Sequence, residues 1–159
     1  MGDVRAGGVV DFDFEGSLIL ARRMWALADD LLAKNGSRSV AAATASREWR
    51  GSFGDEFSDR RAIESESYRN VRSGLIDGAN AWAQAWATAM DQQNLNNRAA
   101  QIESDADRIS DERGRLQKGV DFFNGDDSWD RAVAQNPEPG PYPVPRGPGF
   151  HETEADRNY

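Results

Sequence analysis

The sequence predicts an all-α protein. The expected architecture is an antiparallel helical hairpin with a Trp-x-Gly turn, an additional coiled-coil-like helix and a disordered proline-rich tail. Three observations predict it. All 6 prolines lie at 137–148, so nothing in residues 1–136 forbids long helices. The body is rich in alanine, the strongest helix former, and holds all 5 tryptophans. Its apolar residues recur at spacings of three and four, the period of a helix face.

Composition narrows the function. The chain has 159 residues and no cysteine, which excludes disulfides, thiolate-bound zinc and thiol catalysis. Its one histidine, His151, lies beyond the prolines, so the body can hold neither a Ser-His-Asp triad nor a multi-histidine metal site. The net charge of −8 divides as −6 over residues 1–136 and −2 over 137–159. Acidity in both parts argues against nonspecific binding of nucleic acid or anionic membrane. Leu, Ile, Val and Phe make up about 18% of the chain, a lean supply for a core. A thin Ala-rich hairpin buries little, and a protein partner is expected to complete it. The longest apolar run near the start, residues 18–21, is too short for a signal-peptide core or a membrane span.

Residues 1–15 are glycine-rich and acidic and read as a flexible N-terminus, with Phe12 and Phe14 as the two residues able to pack back on the body. The hairpin is expected over 16–93. Ser17 is the expected N-cap of its first helix. Leu18, Ala21, Trp25, Ala28 and Leu32 form one stripe, and Leu20, Met24, Leu27 and Leu31 a neighbouring one, which together make a broad apolar face. Asn35-Gly36-Ser37 is a stop signal, but Val40 and the alanines after it carry the pattern to about residue 48, and continuation is the reading adopted. The second helix carries Phe57, Tyr68, Val71, Leu75, Ala79, Trp82, Trp86 and Met90 on one side. Within it, Gly74 and Gly78 suit either a close helix approach or simple drift in a small-residue sequence.

Asn94, Asn96 and Asn97 mark a joint. Beyond it Leu95, Ala99, Ile102, Ala106, Ile109, Arg113, Leu116 and Val120 follow a heptad pattern in which Arg113 alone is polar. Residues 94–123 are therefore a third helical segment or a helix extension rotated by a stutter. Residues 124–159 form the acidic, proline-rich tail, for which polyproline-like and extended conformations are expected. Phe122, Phe123 and Trp129 suit a latch onto the bundle or an anchor for a partner.

The most informative stretch is Trp49-Arg50-Gly51-Ser52-Phe53-Gly54-Asp55-Glu56-Phe57. A short reversal between antiparallel helices needs a residue free of Cβ constraints, which Gly51 supplies, with Gly54 alongside. Trp49 is large enough to cap the open end of the pair. Ser52 and Asp55 are the residues expected to start the return helix.

On these residues, with an apolar helix before them and Leu75, Ala79 and Trp82 in the helix after them, the chain resembles the WXG100 family, the ESAT-6-like proteins of type VII secretion. The resemblance covers roughly residues 14–94. It implies a small helical hairpin that forms a four-helix bundle, as a homodimer or as a heterodimer with another WXG100-like protein or an effector. It also implies export by a membrane ATPase machine without a cleaved signal, and so synthesis in the cytoplasm followed by secretion or surface display. The residues expected to pack the helices or form the partner interface are Leu18, Trp25, Leu32, Phe57, Tyr68, Val71, Leu75, Trp82 and Trp86.

Two features depart from the family. The chain is longer, and the family's Tyr-x-x-x-Asp/Glu export signal is absent: Tyr68 meets Arg72 and Tyr142 meets Arg146. Phenylalanine versions pair Phe122 with Asp126, Phe123 with Asp127 and Phe150 with Glu154. The first two are the expected weak export signal. A cytoplasmic adaptor, or an accessory protein linked to a toxin or phage, is the alternative function. No catalytic, cofactor-binding or metal site is expected, because acid pairs such as Glu103 and Asp107 read as solvated helix faces.

Overall fold

The computed structural model describes residues 6–47, 49–116 and 127–150. They form three helices and no strand: α1 (Phe14–Ala45), α2 (Ser52–Leu116) and α3 (Ser128–Gln135). The chain divides into two units. One comprises Asp13–Trp86 and the segment beginning at Val144; the other comprises the residues up to Phe12 and Ala87–Pro143.

α1 starts one turn earlier than the sequence suggests. Its N-cap is Asp13, whose carboxylate accepts the Gly16 N–H at 2.8 Å. Ser17, the expected cap, lies inside the first turn and donates to the Phe14 carbonyl. Asp prevails because its charged acceptor satisfies a free N–H at the positive end of the helix. The helix then runs through Asn35-Gly36-Ser37 to Ala45, where Ser46 caps it. Ser37 returns its hydroxyl to the Ala33 carbonyl, so this stop signal is absorbed within the helix.

In the first unit, α1 and the first part of α2 make a ladder of contacts. The Trp25 indole N–H donates to the Asn80 carboxamide at 3.2 Å. Further along α1, Arg38 pairs with Glu64 and Ser39 accepts from Arg61. Partner numbers on α2 fall as those on α1 rise, so the two helices run in opposite directions. Their core is Ala21, Trp25, Ala79 and Ala83, with Met24 and Val144 packed against it. The three alanines are fully buried. Their small side chains let the helices approach closely, and the Trp25 ring supplies the bulk. Gly78 completes the fit, since a Cβ there would fall on the Met24 methyl group. Gly74 faces open space. Close approach thus explains one glycine of the pair.

α2 passes through Asn94–Asn97 without interruption, so residues 94–116 extend the second helix. One line of its buried positions steps Ala79, Ala83, Trp86, Met90, Gln93 and then Asn96, with Ala87 and Ala89 buried beside it. The buried stripe resumes at Ile102 and Ala106. Alternating steps of four and three give way to two successive threes, Met90–Gln93–Asn96, a local shift of the heptad frame.

In the second unit, Ile102 and Ala106 pack on Ala132 of α3, with Ile109 beside them. The heptad stripe is therefore covered by a short helix of the same chain. Residues 117–126, including Phe122, Phe123 and Asp126, lie outside the described residues. Trp129, read as a latch or an anchor, remains 55% exposed.

Described residues near both ends of the chain make contacts with the helices. Residues 7–10 are tied to α2: Gly7 N–H donates to the Asn96 carbonyl, Val10 N–H donates to Gln93, and Gly8 C=O accepts from both Gln93 and Asn96. Buried amides on α2 thus bond the backbone of this stretch, part of the segment read in sequence as a flexible N-terminus. Phe14 is buried as the first residue of α1. The proline-rich tail, expected as disordered, also makes contacts at its described residues. Pro145 is fully buried, Val144 joins the first unit's core, and the Tyr142 N–H donates to Asp91 in the second unit. Proline forbids helix here but not packing, and the apolar residues between the prolines supply the contacts.

Candidate interaction surface

The joint between α1 and α2 is built around Trp49 and Gly51. Ser46 ends α1, and the Trp49 N–H returns to the Ser46 carbonyl at 3.3 Å. Gly51 adopts φ +76°, a conformation costly for any residue with a Cβ. Its carbonyl accepts the N–H groups of Gly54 and Asp55, which opens α2. Asp55 adds a negative charge to that first turn, favourable at the positive helix end.

Around this joint three aromatic rings cluster. Trp49 meets Phe57 edge-on at 4.9 Å and Phe53 at 6.1 Å. Trp49 is 42% exposed and Phe53 73% exposed, so the cluster opens to solvent. A Cβ added at Gly54 would stand in ordinary contact with the Trp49 backbone. Phe53 is the member that sequence reading missed, because it falls off the stripe that begins at Phe57; its proximity to Trp49 in sequence was the available signal.

The other expected interface residues divide into three groups. Leu18, Trp25 and Trp86 are buried within the first unit. Phe57, Tyr68 and Leu75 are partly covered, and the Arg38 guanidinium lies over the Tyr68 ring. Leu32, Val71 and Trp82 stay exposed. Leu20, Leu27, Val40 and Ile63 of the same two helices are exposed as well. The broad face read on α1 is therefore split: its Leu18–Ala28 stripe is buried, and much of the neighbouring stripe is open. Small grooves lie along the pair. One of about 300 Å³ is lined by Ala42, Ala43, Phe57 and Arg61 among others, and a smaller apolar one by Leu31, Ser67, Tyr68 and Val71.

The expected export-signal residue Asp127 is already engaged. It stands at the N-cap position of α3 and pairs with Arg113 at 2.7 Å and Arg131 at 3.0 Å. Among the described residues, no group of three or more acidic or histidine side chains is placed to hold a metal ion. No described helix is long and apolar enough to cross a membrane. What the surface offers chemically is apolar and aromatic contact. The chain matches no protein-family model, no curated protein and no solved structure.

Proposed function

We propose that the protein works by association. It is a WXG100-like helical hairpin whose Trp-x-Gly turn and apolar helix faces engage a protein partner of a type VII secretion system. In that role it serves as a secreted factor, or as the targeting partner or chaperone of an effector. The observation that carries this reading is the open apolar surface along one pair of helices. Leu27, Leu32, Val71 and Trp82 are each more than 40% exposed, and the Trp49–Phe53 cluster is open at the joint. Large apolar side chains left exposed along one helical pair are the kind of surface that interaction sites use. A secretion ATPase follows from the family resemblance, and no enzymatic activity is part of the proposal.

The test is Trp49→Arg, followed by export and by solution mass from light scattering. Reduced export or a smaller assembly, with helix content retained by circular dichroism, supports the reading. Unchanged export together with unchanged mass removes its main support.

A cytoplasmic adaptor without an export role is the second reading, and one observation favours it. The acidic residue of Phe123-x-x-x-Asp127 is held by two arginines rather than presented. Fractionation separates the two: protein confined to the cytosol in cells with an active type VII system supports the adaptor.

A further inference from the structure

α2 interrupts its apolar stripe with a run of side-chain amides, Gln92, Gln93, Asn96 and Asn97. Asparagine is a poor helix former, yet Asn96 and Gln93 are both buried. A stripe built for packing alone has no use for either. In the second unit these two amides meet the main chain of a non-helical arm, residues 7–10. The Gln93 Oε1 accepts the Val10 N–H at 2.8 Å, and its Nε2 donates to the Gly8 carbonyl at 3.2 Å. The Asn96 Nδ2 donates to the same carbonyl at 2.8 Å, and the Asn96 main-chain carbonyl accepts the Gly7 N–H at 3.3 Å.

Both amides are oriented from within their own helix. Gln92 donates to the Asn96 Oδ1 at 3.1 Å, and Gln93 donates to the Asn97 Oδ1 at 2.9 Å. Neither bond needs the arm. Gln93 therefore presents an acceptor and a donor to residues two apart in the arm, as the edge of a neighbouring strand does. The demands on side chains are slight. Val9 is 81% exposed. Gly7 takes φ +65°, and a Cβ there would stand 3.9 Å from the Ala100 Cβ, so conformation rather than room calls for glycine. Val10 is half-buried. When such an arm leaves, the amides exchange its bonds for bonds to water, so docking through them is reversible.

We propose that Gln93 and Asn96, oriented by Asn97 and Gln92, form a main-chain-reading site for an extended peptide with glycine at its first position and an apolar residue at its fourth. The arm Gly7–Val10 is the occupant in cis, and a segment of the same form is the ligand in trans. The site lies outside the α1–α2 faces of the association reading above and does not depend on it.

The experiment compares the full chain with its full-length double variant Gly7→Pro/Val10→Pro. Proline removes both N–H donors of the arm, cannot take the positive φ of Gly7, and leaves α2 unaltered. The probe is a capped synthetic peptide of residues 6–12. It is titrated while the side-chain amide resonances of Gln93 and Asn96 are followed by NMR. The expected result is saturable binding to the variant, with a dissociation constant below about 1 mM. Binding to the parent is expected to be at least about tenfold weaker, because its own arm competes at high effective concentration. N-methylation of the peptide at positions 7 and 10 is expected to weaken binding about tenfold, whereas Val9→Lys in the peptide changes it less than about twofold. A variant that keeps its helix content by circular dichroism but does not bind the peptide overturns the proposal. Equal binding to variant and parent places the peptide elsewhere and overturns it as well, as does undiminished binding of the N-methylated peptide. If the variant loses helix, the parent decides: excess peptide is expected to speed amide exchange at Gly7 and Val10, and unchanged exchange there overturns the site. The Trp49→Arg export assay decides the association reading separately.

Discussion

Arg113 of α2 and Asp127, the residue that opens α3, form an ion pair at 2.7 Å. Arg113 is the polar residue in an otherwise apolar heptad stripe, and the pair explains why it stands there. The stripe's Ile102 and Ala106 hold α3 through Ala132, while the charge pair fixes where α3 begins. Both side chains are partly exposed, so the pair's net worth is that of a surface bridge, about 0.2–1 kcal/mol. Arg113→Ala is expected to speed amide exchange across α3 while moving global stability by less than about 1 kcal/mol. Raised salt should reproduce part of that effect in the parent chain. A loss of α3 helicity as complete as that caused by Ala132→Asp would show that charge, rather than the apolar contact, holds the helix.

Two glycines of this chain respond oppositely to a methyl group. Gly51 has open space around it but φ +76°, so Gly51→Ala strains the joint by about 1–2 kcal/mol. Gly74 lies mid-helix with nothing within 4 Å, so Gly74→Ala raises stability by about 1 kcal/mol through helix propensity. Urea unfolding of the two variants checks both signs. Equal effects would mean that the backbone at position 51 relaxes out of the left-handed region.

Asp105 ties α3's end to α2. The Asn136 carboxamide donates to it at 2.8 Å, and Asn136 also returns to the Ala132 carbonyl. These bonds hold the Asp105 carboxyl below its ordinary pKa, Asn136 contributing most, then Gln101, with Arg108 adding to them against a small opposing effect of burial. A carboxylate made more acidic by folding contributes stability above its ordinary pKa and loses it as pH falls through the folded value. The Asn136 contact is therefore expected to persist through neutral pH and to weaken only below about pH 4. The side-chain amide resonances of Asn136 report this directly. Asp105→Asn should abolish their acid-dependent shift; a shift that persists in that variant assigns the transition to another carboxyl group.

Much of the helical layout is legible in sequence because it depends on spacing. Leu18, Ala21, Trp25 and Ala28 are buried at the positions their stripe predicts, and the Ile102–Ala106 step finds its cover. What spacing does not encode is which of two adjacent stripes is covered, and by what. Leu20 and Leu27 share a helix with Leu18 and Trp25 yet face outward. The prolines signalled only the end of helix, since packing of Pro145 depends on where the chain returns in space. Asn96 read as a joint because asparagine is a poor helix former. In the structure it stays helical, and its side chain bonds an arm some ninety residues away in sequence, a contact that no local pattern carries.

That arm yields the most specific prediction. The Gln93 carboxamide accepts the Val10 N–H at 2.8 Å and donates to the Gly8 carbonyl at 3.2 Å. It thus meets an extended backbone as a neighbouring strand's peptide group would, accepting and donating along one edge. Gln93 is buried, so its loss leaves polar atoms behind. Gln93→Ala orphans the Val10 N–H, whereas the Gly8 carbonyl keeps its bond from Asn96. An unsatisfied buried donor costs about 1–3 kcal/mol; the Val10 bond is only partly buried, so the cost here is smaller and is relieved by letting the arm detach into water. The variant should therefore show fast amide exchange at residues 7–12 with little change in the exchange of α1. Gln93→Glu keeps the acceptor for Val10 but loses the donor to Gly8, and should fall between the parent and the alanine variant. If both variants retain slow exchange at Val10, the arm is held by its apolar side chains instead, and Val10→Ala becomes the substitution that frees it.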